Sequence, residues 1–299
     1  MLVFVTGATG FVGAAVVSEL LAAGHTVRGL CRSAASASSL QALSVQPHLG
    51  SIDDLDSLRR GIDGVDAVVH TAFDHDFSKF MQSCTADKRA VEAMGACLVG
   101  SARPFIVTSA MGVVPQHVVA TEDTAAASGA AAHPRAQTET AADVVANSGV
   151  RTSVVRLPPS VHGVGDTAFV PTLIGMAKKA GVSAFTDAGA NRWPAVHRFD
   201  AARLYRLLVE HGNARGTFHA VDDEGIAFKD IAAAIGAGAG VPTQSMSMSA
   251  SAAHFGWFMK FASLDIPASS AKTRALLGWT PTYPGLLADL ADVHYFETT

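Results

Sequence analysis

The chain has 299 residues and a formal net charge of −4, and 49% of its residues are hydrophobic, enough to bury a sizeable core in one large or two closely joined domains. The charge provides no basic field for nucleic acid or an anionic membrane, and no apolar stretch is long enough to span a bilayer, so we expect neither partner. Three cysteines without a Cys-x-x-Cys spacing indicate a reduced, cytoplasmic setting. The twelve histidines show no metal-ligand spacing, so no metal is expected.

A glycine-rich turn close to the N-terminus is the feature around which the rest of the sequence is arranged. Residues 2–5 are an apolar run that predicts a buried parallel strand, and residues 14–23 carry apolar side chains at helical spacing. Between them lies the segment Thr6-Gly7-Ala8-Thr9-Gly10-Phe11-Val12-Gly13. A glycine turn that joins a strand to a helix is typical of a dinucleotide site, because the helix N-terminus presents free N–H groups to the phosphates.

Each glycine of this turn has a separate role in such a site. Gly7 permits the tight turn, Gly10 leaves room for a pyrophosphate to approach the backbone, and Gly13 allows the helix and the strand to pack closely. The sequence therefore predicts cofactor contacts at Thr6, Gly7, Thr9, Gly10, Phe11, Val12 and Gly13.

A second predicted strand, residues 25–31, is followed by a basic residue. Arg32 stands about twenty residues beyond the turn, where an enzyme that uses NAD usually has Asp or Glu to bind the ribose 2′-hydroxyl. A guanidinium suits a 2′-phosphate, which a carboxylate would repel. We therefore predict NADPH rather than NADH as the cofactor. The alternative is that Arg32 is a solvated surface side chain.

Strand and helix patterns then alternate along the first half of the chain. Strands are predicted at 48–53, 66–72, 103–109 and 150–156, and helices at 54–60, 78–98 and 138–147. Such alternation predicts an α/β fold with a doubly wound, parallel Rossmann sheet covered on both faces, with ligand bound beyond the C-terminal ends of the strands. We expect residues 1–156 to form this cofactor domain, and residues 157–299 to form a smaller, mainly helical substrate lobe with some segments returning to the sheet.

The spacing of the turn, Gly-x-x-Gly-x-x-Gly preceded by Thr, resembles that of the extended short-chain dehydrogenase/reductase superfamily. Residues 272–281 resemble the C-terminal signature of the same superfamily, so the resemblance covers nearly the whole chain. It implies that the turns after the third and fourth strands, the end of the fifth strand, the helix after it and a proline-rich turn hold the cofactor. The corresponding positions are Ser51, Ile52, Thr71, Ala72, Phe73, Thr108, Gln137, Pro158, Ser160 and Val161. Ser51 departs from the superfamily's pattern, which commonly has Asp there.

The acid–base pair of the superfamily is missing. Its members normally carry Tyr-x-x-x-Lys on the helix after the fifth strand, where the Tyr donates the proton and the Lys holds the nicotinamide ribose. This chain has three tyrosines, and none is followed by lysine four residues later. In register with the superfamily, His133 falls near the Tyr position and Gln137 near the Lys position, and Ser109 lies beside the superfamily's serine position. The chain therefore resembles atypical members, some of which act in bacterial aromatic polyketide pathways.

This resemblance implies an NADPH-dependent ketoreductase that acts on a bulky, aromatic, polyketide-type small molecule, as a monomer or homodimer. Candidates for the proton donor are Ser109, His133 and His162, together with water and the substrate itself. We expect substrate- or water-assisted proton delivery, with Ser109 donating a hydrogen bond to the carbonyl. Substrate contacts are expected from apolar and aromatic side chains that suit a flat ligand, namely Met111, Trp193, Phe255 and Trp257.

Two other classes of function remain open at this point. A non-catalytic NADPH-binding sensor or regulator would keep the glycine turn and would need no acid–base pair. A nucleotide-sugar epimerase/dehydratase-like enzyme would use the same fold. The aromatic residues of the second lobe favour an enzyme over a sensor, unless they serve only to pack the core of that lobe.

Overall fold

The structure, a computed structural model, describes residues 1–129 and 132–296. The strands in these ranges are β1 (Leu2–Thr6), β2 (Thr26–Cys31), β3 (Gln46–Leu49), β4 (Ala67–His70), β5 (Pro104–Ala110), β6 (Arg151–Leu157), β7 (Ser160–His162), β8 (Ser183–Thr186), β9 (Arg192–His197), β10 (Gly216–His219), β11 (Asp223–Ala227) and β12 (Thr243–Met246). The helices are α1 (Phe11–Ala22), α2 (Ala34–Ala42), α3 (Leu55–Ile62), α4 (Phe80–Ala96), α5 (Ala136–Asn147), α6 (Phe169–Ala180), α7 (Arg198–Glu210), α8 (Phe228–Ala239), α9 (Met248–Phe255), α10 (Met259–Ala262), α11 (Ala271–Leu277) and α12 (Leu286–Asp289).

A seven-stranded sheet in the order β10-β6-β5-β4-β1-β2-β3 lies at the centre of the molecule. All of its neighbouring strands pair in parallel. The strand order reverses between β1 and β4, which makes their C-terminal ends the crevice where ligands bind in open α/β sheets. The predicted doubly wound Rossmann fold is thereby confirmed.

Helices cover both faces of this sheet. On one face, α1 packs beside α7, and their side chains Leu20 and Leu204 belong to one apolar cluster. On the other face, α4 packs beside α5, and Met94 and Val145 belong to a second cluster together with side chains of α3. Both α7 and β10 come from the part of the chain after residue 157, so this part returns to the central sheet.

Most of the remaining elements of the second half form a lobe around a third apolar cluster that includes Trp193, Phe228 and Phe258. To the predicted helices the structure adds two small sheets, one of β11, β9 and β7 and one of β12 and β8. Strands of three to six residues such as these are too short for an alternating pattern to be recognised in the sequence. Within the described ranges, no helix has both the length and the apolar character needed to cross a membrane.

Two element boundaries matter for the candidate site. The sequence predicts a strand up to residue 72, but β4 ends at His70, and the segment up to a short 3-10 turn at Phe77–Lys79 is irregular. The sequence also predicts that the fifth helix starts at Thr138, whereas α5 starts at Ala136. Arg135 is therefore the N-cap residue of α5 and points back toward the sheet rather than lying in a loop.

Candidate active site

Two glycines of the N-terminal turn are required by the fold itself. Gly7 has φ of +69°, and a Cβ atom on it would lie 2.8 Å from the backbone nitrogen of Ala72. A Cβ on Gly13 would lie 2.0 Å from the carbonyl oxygen of Gly7. Since real Cβ atoms do not approach other atoms this closely, neither position accepts a side chain without movement of the backbone.

Gly10 differs from these two glycines because the surrounding protein does not exclude a side chain there. Its φ is −81°, and a Cβ would meet a single atom within 4 Å, the carbonyl oxygen of Gly7 at 3.3 Å. Gly10 is exposed and caps α1 without a side-chain hydrogen bond, and no acidic residue occupies the first turn. The first helical bond runs from Ala14 N–H to Gly10, so the N–H groups of residues 11–13 are free for an anion. These features fit a pyrophosphate.

The residues predicted to bind the adenosine half of a dinucleotide lie at the ends of β2 and β3. Arg32 is exposed immediately after β2, and Ser33 caps α2 by accepting a hydrogen bond from Ser36 N–H at 3.2 Å. Ser51 accepts a hydrogen bond from Asp54 N–H at 3.3 Å, and the partly buried Ile52 packs against the apolar cluster between the sheet and α3, α4 and α5. All of these positions border the C-terminal edge of the sheet, and their contacts with a cofactor stay predictions.

A buried chain of hydrogen bonds connects the glycine turn to α4 and α5. Thr6 Oγ1 lies 2.7 Å from His70 Nδ1, and His70 Nε2 lies 3.0 Å from Asp87 Oδ1. The other carboxylate oxygen of Asp87 accepts a hydrogen bond from the Thr138 hydroxyl. All four side chains are completely buried, so the polar groups at the end of β4 are held in fixed positions.

Arg135 is a member of this network that sequence reasoning missed. Its Nη2 donates to the carbonyl oxygen of Thr108 at 3.1 Å, its Nη1 lies 3.4 Å from Asp87 Oδ2, and its Cζ lies 3.6 Å from the ring centroid of Phe73. Burial by itself raises the pKa of Asp87, but Arg135, His70 and Thr138 together hold it below its usual value. Asp87 is therefore a carboxylate that anchors a cation at the C-terminal ends of β4 and β5.

Ser109 and Arg135 lie on the same side of the sheet. Phe105 and Val107 pack against the cluster formed with α3, α4 and α5, so by the alternation of a strand Ser109 faces the same helices. The Ser109 hydroxyl is buried and has no hydrogen-bond partner among the described residues. Arg135 Nη1 likewise lacks a hydrogen bond within the described ranges. The end of β5 thus holds two buried donors with unused capacity.

The residues predicted in register with the superfamily's Tyr and Lys flank Arg135 in sequence. His133 is half-buried, its ring centroid is 5.5 Å from that of Phe80, and its Nδ1 accepts a hydrogen bond from Arg135 N–H at 3.3 Å. Burial and the charge of Arg135 both lower the pKa of His133, so its imidazole is neutral near pH 7. Gln137 is half-buried in the first turn of α5. The positively charged residue at the start of this helix is Arg135. In the sequence it is marked only as a basic residue that follows Pro134.

None of the three tyrosines lies on α5. The Tyr205 hydroxyl is 2.7 Å from that of Thr108, and burial raises the pKa of Tyr205 far above its usual value. Tyr283 stacks on His197 with ring centroids 4.5 Å apart, and the Tyr295 hydroxyl accepts a hydrogen bond from Gly163 N–H at 3.0 Å. Each tyrosine therefore has a packing or hydrogen-bonding role away from the helix that carries the acid in the superfamily.

The proline-rich turn and His162 lie on the lobe side of the molecule. Pro158 and Ser160 are buried, Val161 is half-buried, and the Ser160 hydroxyl has no hydrogen-bond partner among the described residues. His162 is completely buried, and its Nδ1 lies 2.7 Å from Asp289 Oδ2. Its polar partner thus comes from α12, whereas Ser109 and Arg135 lie at the end of β5.

The four predicted substrate residues differ in exposure. Met111, Trp193 and Phe255 are at most 2% exposed and lie inside apolar clusters. Trp257 is 59% exposed, and its ring lies 5.8 Å from that of Phe77. The first three positions serve the packed core, so Trp257 is the one of the four whose position leaves surface for a ligand.

The Rossmann sheet and its glycine turn are those of a dinucleotide-binding protein, and the family match and the relatives that follow identify the chain as an NAD(P)-dependent oxidoreductase. The chain belongs to the NAD-dependent epimerase/dehydratase family, whose family model matches residues 3–221.

Individual relatives agree with this assignment. An uncharacterised protein of Schizosaccharomyces pombe is 46% identical over 297 residues, which cover 99% of this chain and all of that protein. The 4-hydroxy-2-methyl-3-oxo-4-farnesyl-3,4-dihydroquinoline-1-oxide ketoreductase of Stigmatella aurantiaca is 30% identical over 193 residues, or 58% of this chain and 54% of that protein. Among solved structures, the dTDP-glucose 4,6-dehydratase DesIV of Streptomyces venezuelae, with NAD bound, has a TM-score of 0.79 at 19% identity over 99% of this chain and 97% of its own, a likeness of fold.

Proposed function

We propose that this protein is an NADPH-dependent ketoreductase that reduces the carbonyl group of a bulky, apolar and partly aromatic molecule. The observation that carries the proposal is the pair of buried donors with unused capacity at the end of β5, Ser109 Oγ and Arg135 Nη1. Arg135 is connected through Asp87, His70 and Thr6 to the turn that would hold the cofactor. Donors preorganised in this way suit an oxygen atom on which negative charge develops.

The cofactor proposal rests on the glycine turn and on Arg32. The free N–H groups at the start of α1 and the open space at Gly10 would hold the pyrophosphate, and the Arg32 guanidinium would pair with a 2′-phosphate. NADPH supplies a hydride when bound, so that a ketone, NADPH and one proton give an alcohol and NADP+. The residues of this chain position the carbonyl and stabilise its oxygen.

A row of aromatic contacts supports the proposed substrate class. Phe73, which stacks on Arg135, has its ring centroid 5.9 Å from that of Phe80, and Phe80 is 5.6 Å from Phe77. Phe77 in turn is 5.8 Å from the exposed ring of Trp257. This row runs from the candidate reaction centre to the lobe, and flat apolar molecules gain most from such surfaces.

The names of two relatives indicate how narrowly the substrate class can be proposed. The Stigmatella ketoreductase is named for a ketone on a farnesylated dihydroquinoline, which is bulky, apolar and partly aromatic. The name of the Schizosaccharomyces protein gives no activity. We therefore propose bulky apolar ketones as the substrate class. An aromatic polyketide ketone is one member of this class, and no observation favours it over the others.

The test is to follow NADPH absorbance while the protein is offered a panel of polycyclic aromatic, sterol-like and small aliphatic ketones. We expect NADPH oxidation with the bulky ketones, with one alcohol formed for each NADPH consumed. Tight NADPH binding without turnover on any ketone would favour a sensor or regulator. Conversion of a nucleotide sugar without net NADPH consumption would favour an epimerase or dehydratase, which is the reaction class of several proteins with a similar fold.

A further inference from the structure

In the described part of the chain, two buried arginines lie next to α5, and their hydrogen bonding differs. Arg156 donates from Nε and Nη2 to both carboxylate oxygens of Glu139, each at 2.8 Å, and from Nη1 to the carbonyl oxygen of Thr124 at 2.8 Å. Arg135 makes one side-chain hydrogen bond, from Nη2 to Thr108, and its Nη1 has no hydrogen bond among the described residues. All three guanidinium nitrogens of Arg156 thus donate hydrogen bonds within the protein, whereas Nη1 of Arg135 has no acceptor among the described residues.

An incompletely paired guanidinium is costly in a buried position. Arg135 is 6% exposed, and its ion pair with Asp87 spans 3.4 Å, too long for a good charge-assisted hydrogen bond. A buried donor without a partner destabilises the fold, and the more so when it is charged. The two carboxylate oxygens of Asp87 also form hydrogen bonds with His70 and Thr138. The guanidinium therefore retains the capacity for one more hydrogen bond, from Nη1.

The orientation of Arg135 restricts where this acceptor can lie. One face of the guanidinium is covered by the ring of Phe73, and Nη2 is fixed on the residue that precedes Ser109. The Ser109 hydroxyl, on the same side of the sheet, is also without a partner among the described residues. The positive charge of the guanidinium and the unpaired Ser109 hydroxyl both suit an oxyanion, because charge-assisted hydrogen bonds are the strong ones.

We infer that Arg135 binds the carbonyl oxygen of the substrate and stabilises the negative charge that forms on it, with the Ser109 hydroxyl as a second donor. This inference rests on the proposed ketoreductase function and assigns the charge that a lysine–tyrosine pair provides elsewhere in the superfamily. The hydride that bound NADPH would supply forms the new C–H bond, and the C=O π electrons move to oxygen. The oxygen takes its proton from water, and a proton from the solution converts the resulting hydroxide back to water. Arg135 stays protonated throughout, because a guanidinium does not release its proton near neutral pH.

The inference assigns separate roles to the neighbours of Arg135. Asp87 is a positioning residue, since it holds the guanidinium and is itself held by His70 and Thr138. His133 lies next to this cation, and burial and the charge of Arg135 both lower the pKa of His133, so we assign the positive charge to Arg135.

The experiment compares Arg135→Ala and Arg135→Lys with the wild type on a ketone that the wild type reduces. Removal of one oxyanion donor costs about 10²–10³ in kcat, so we expect a loss of this size for Arg135→Ala. NADPH affinity, measured separately by the fluorescence of the bound cofactor, should change little. Guanidinium chloride at low, non-denaturing concentration should restore part of the lost kcat of Arg135→Ala in a saturable way. Arg156→Lys is the matched control, with lower thermal stability expected and no response of kcat to guanidinium.

Each outcome has a definite meaning. Wild-type kcat in Arg135→Lys or Arg135→Ala would overturn the inference and leave the ketoreductase function standing. Loss of NADPH affinity with kcat preserved would overturn it in favour of a cofactor-holding role. If Arg135→Ala does not fold, Arg135→Lys keeps the test, because a displaced charge should lower kcat and leave NADPH affinity intact. A wild type that binds NADPH but reduces none of the ketones would refute the proposed function itself.

Discussion

At the scale of single residues, we propose that Arg32 selects NADPH over NADH. It is exposed at the end of β2, where its guanidinium can meet a 2′-phosphate. A hydrogen-bonded ion pair of this kind contributes about 1.5–3 kcal/mol, so Arg32→Ala should weaken NADPH binding about 10- to 100-fold and leave NADH binding nearly unchanged. Titration of cofactor fluorescence with both cofactors measures the ratio.

A second arginine on the same strand provides the control for this prediction. Arg28 donates to the backbone carbonyl oxygens of Gly61 and Asp63, at 2.9 and 2.7 Å, and so ties β2 to α3. Arg28→Ala should lower stability without changing the ratio of NADPH to NADH affinity. Equal losses of both cofactors in Arg32→Ala would mean that Arg32 does not recognise the phosphate.

At the scale of elements, the start of α1 separates a glycine needed for folding from one needed for binding. Gly10→Val should leave the protein folded, at a cost of about 1 kcal/mol for a poor N-cap residue, and should abolish cofactor binding because the side chain occupies the space of the phosphate. Gly13→Val should instead prevent stable folding, since its Cβ would lie 2.0 Å from the carbonyl oxygen of Gly7. Circular dichroism and NADPH titration of the two variants separate these effects. Normal NADPH affinity in Gly10→Val would remove the turn from the cofactor site.

The part of the candidate site that could be predicted from the sequence is the part formed by residues close together in the chain. The glycine turn was predictable because its signal is local, three glycines at fixed spacing between an apolar strand and a helix. The network at the end of β5 was not predictable, because its contacts join residues far apart in sequence. Thr6 and His70 are 64 positions apart, and Thr138 and Asp87 are 51 apart. These residues come together only because α4 and α5 pack on the sheet, and no local sequence pattern indicates that packing.

At the scale of the whole molecule, polar contacts around Asp166 connect α12 and the segment after it to the rest of the lobe. The Tyr295 hydroxyl lies 3.4 Å from Asp166 Oδ2 and accepts a hydrogen bond from Gly163 N–H, and Asp289 pairs with His162. Burial raises the pKa of Asp166 to about 6, although the hydrogen bond from Ala168 N–H opposes the shift. The folded protein therefore keeps a proton on Asp166 in a pH range where the unfolded chain has released it.

This proton links the stability of the protein to pH. The carboxyl has a pKa of about 3.9 in an unfolded chain, so the stabilising contribution of Asp166 is complete below that value and is lost as pH rises through about 6. Asp166→Asn mimics the protonated form and should raise the free energy of unfolding at pH 7.5 by on the order of 1–2 kcal/mol, after allowance for partial solvent screening. Below about pH 4 the variant and the wild type should be equally stable. Urea unfolding at several pH values measures the difference, and Asp63→Asn, at an exposed position after α3, is the matched control. A difference that is constant from pH 4 to pH 8 would show that Asp166 keeps its ordinary titration in the fold.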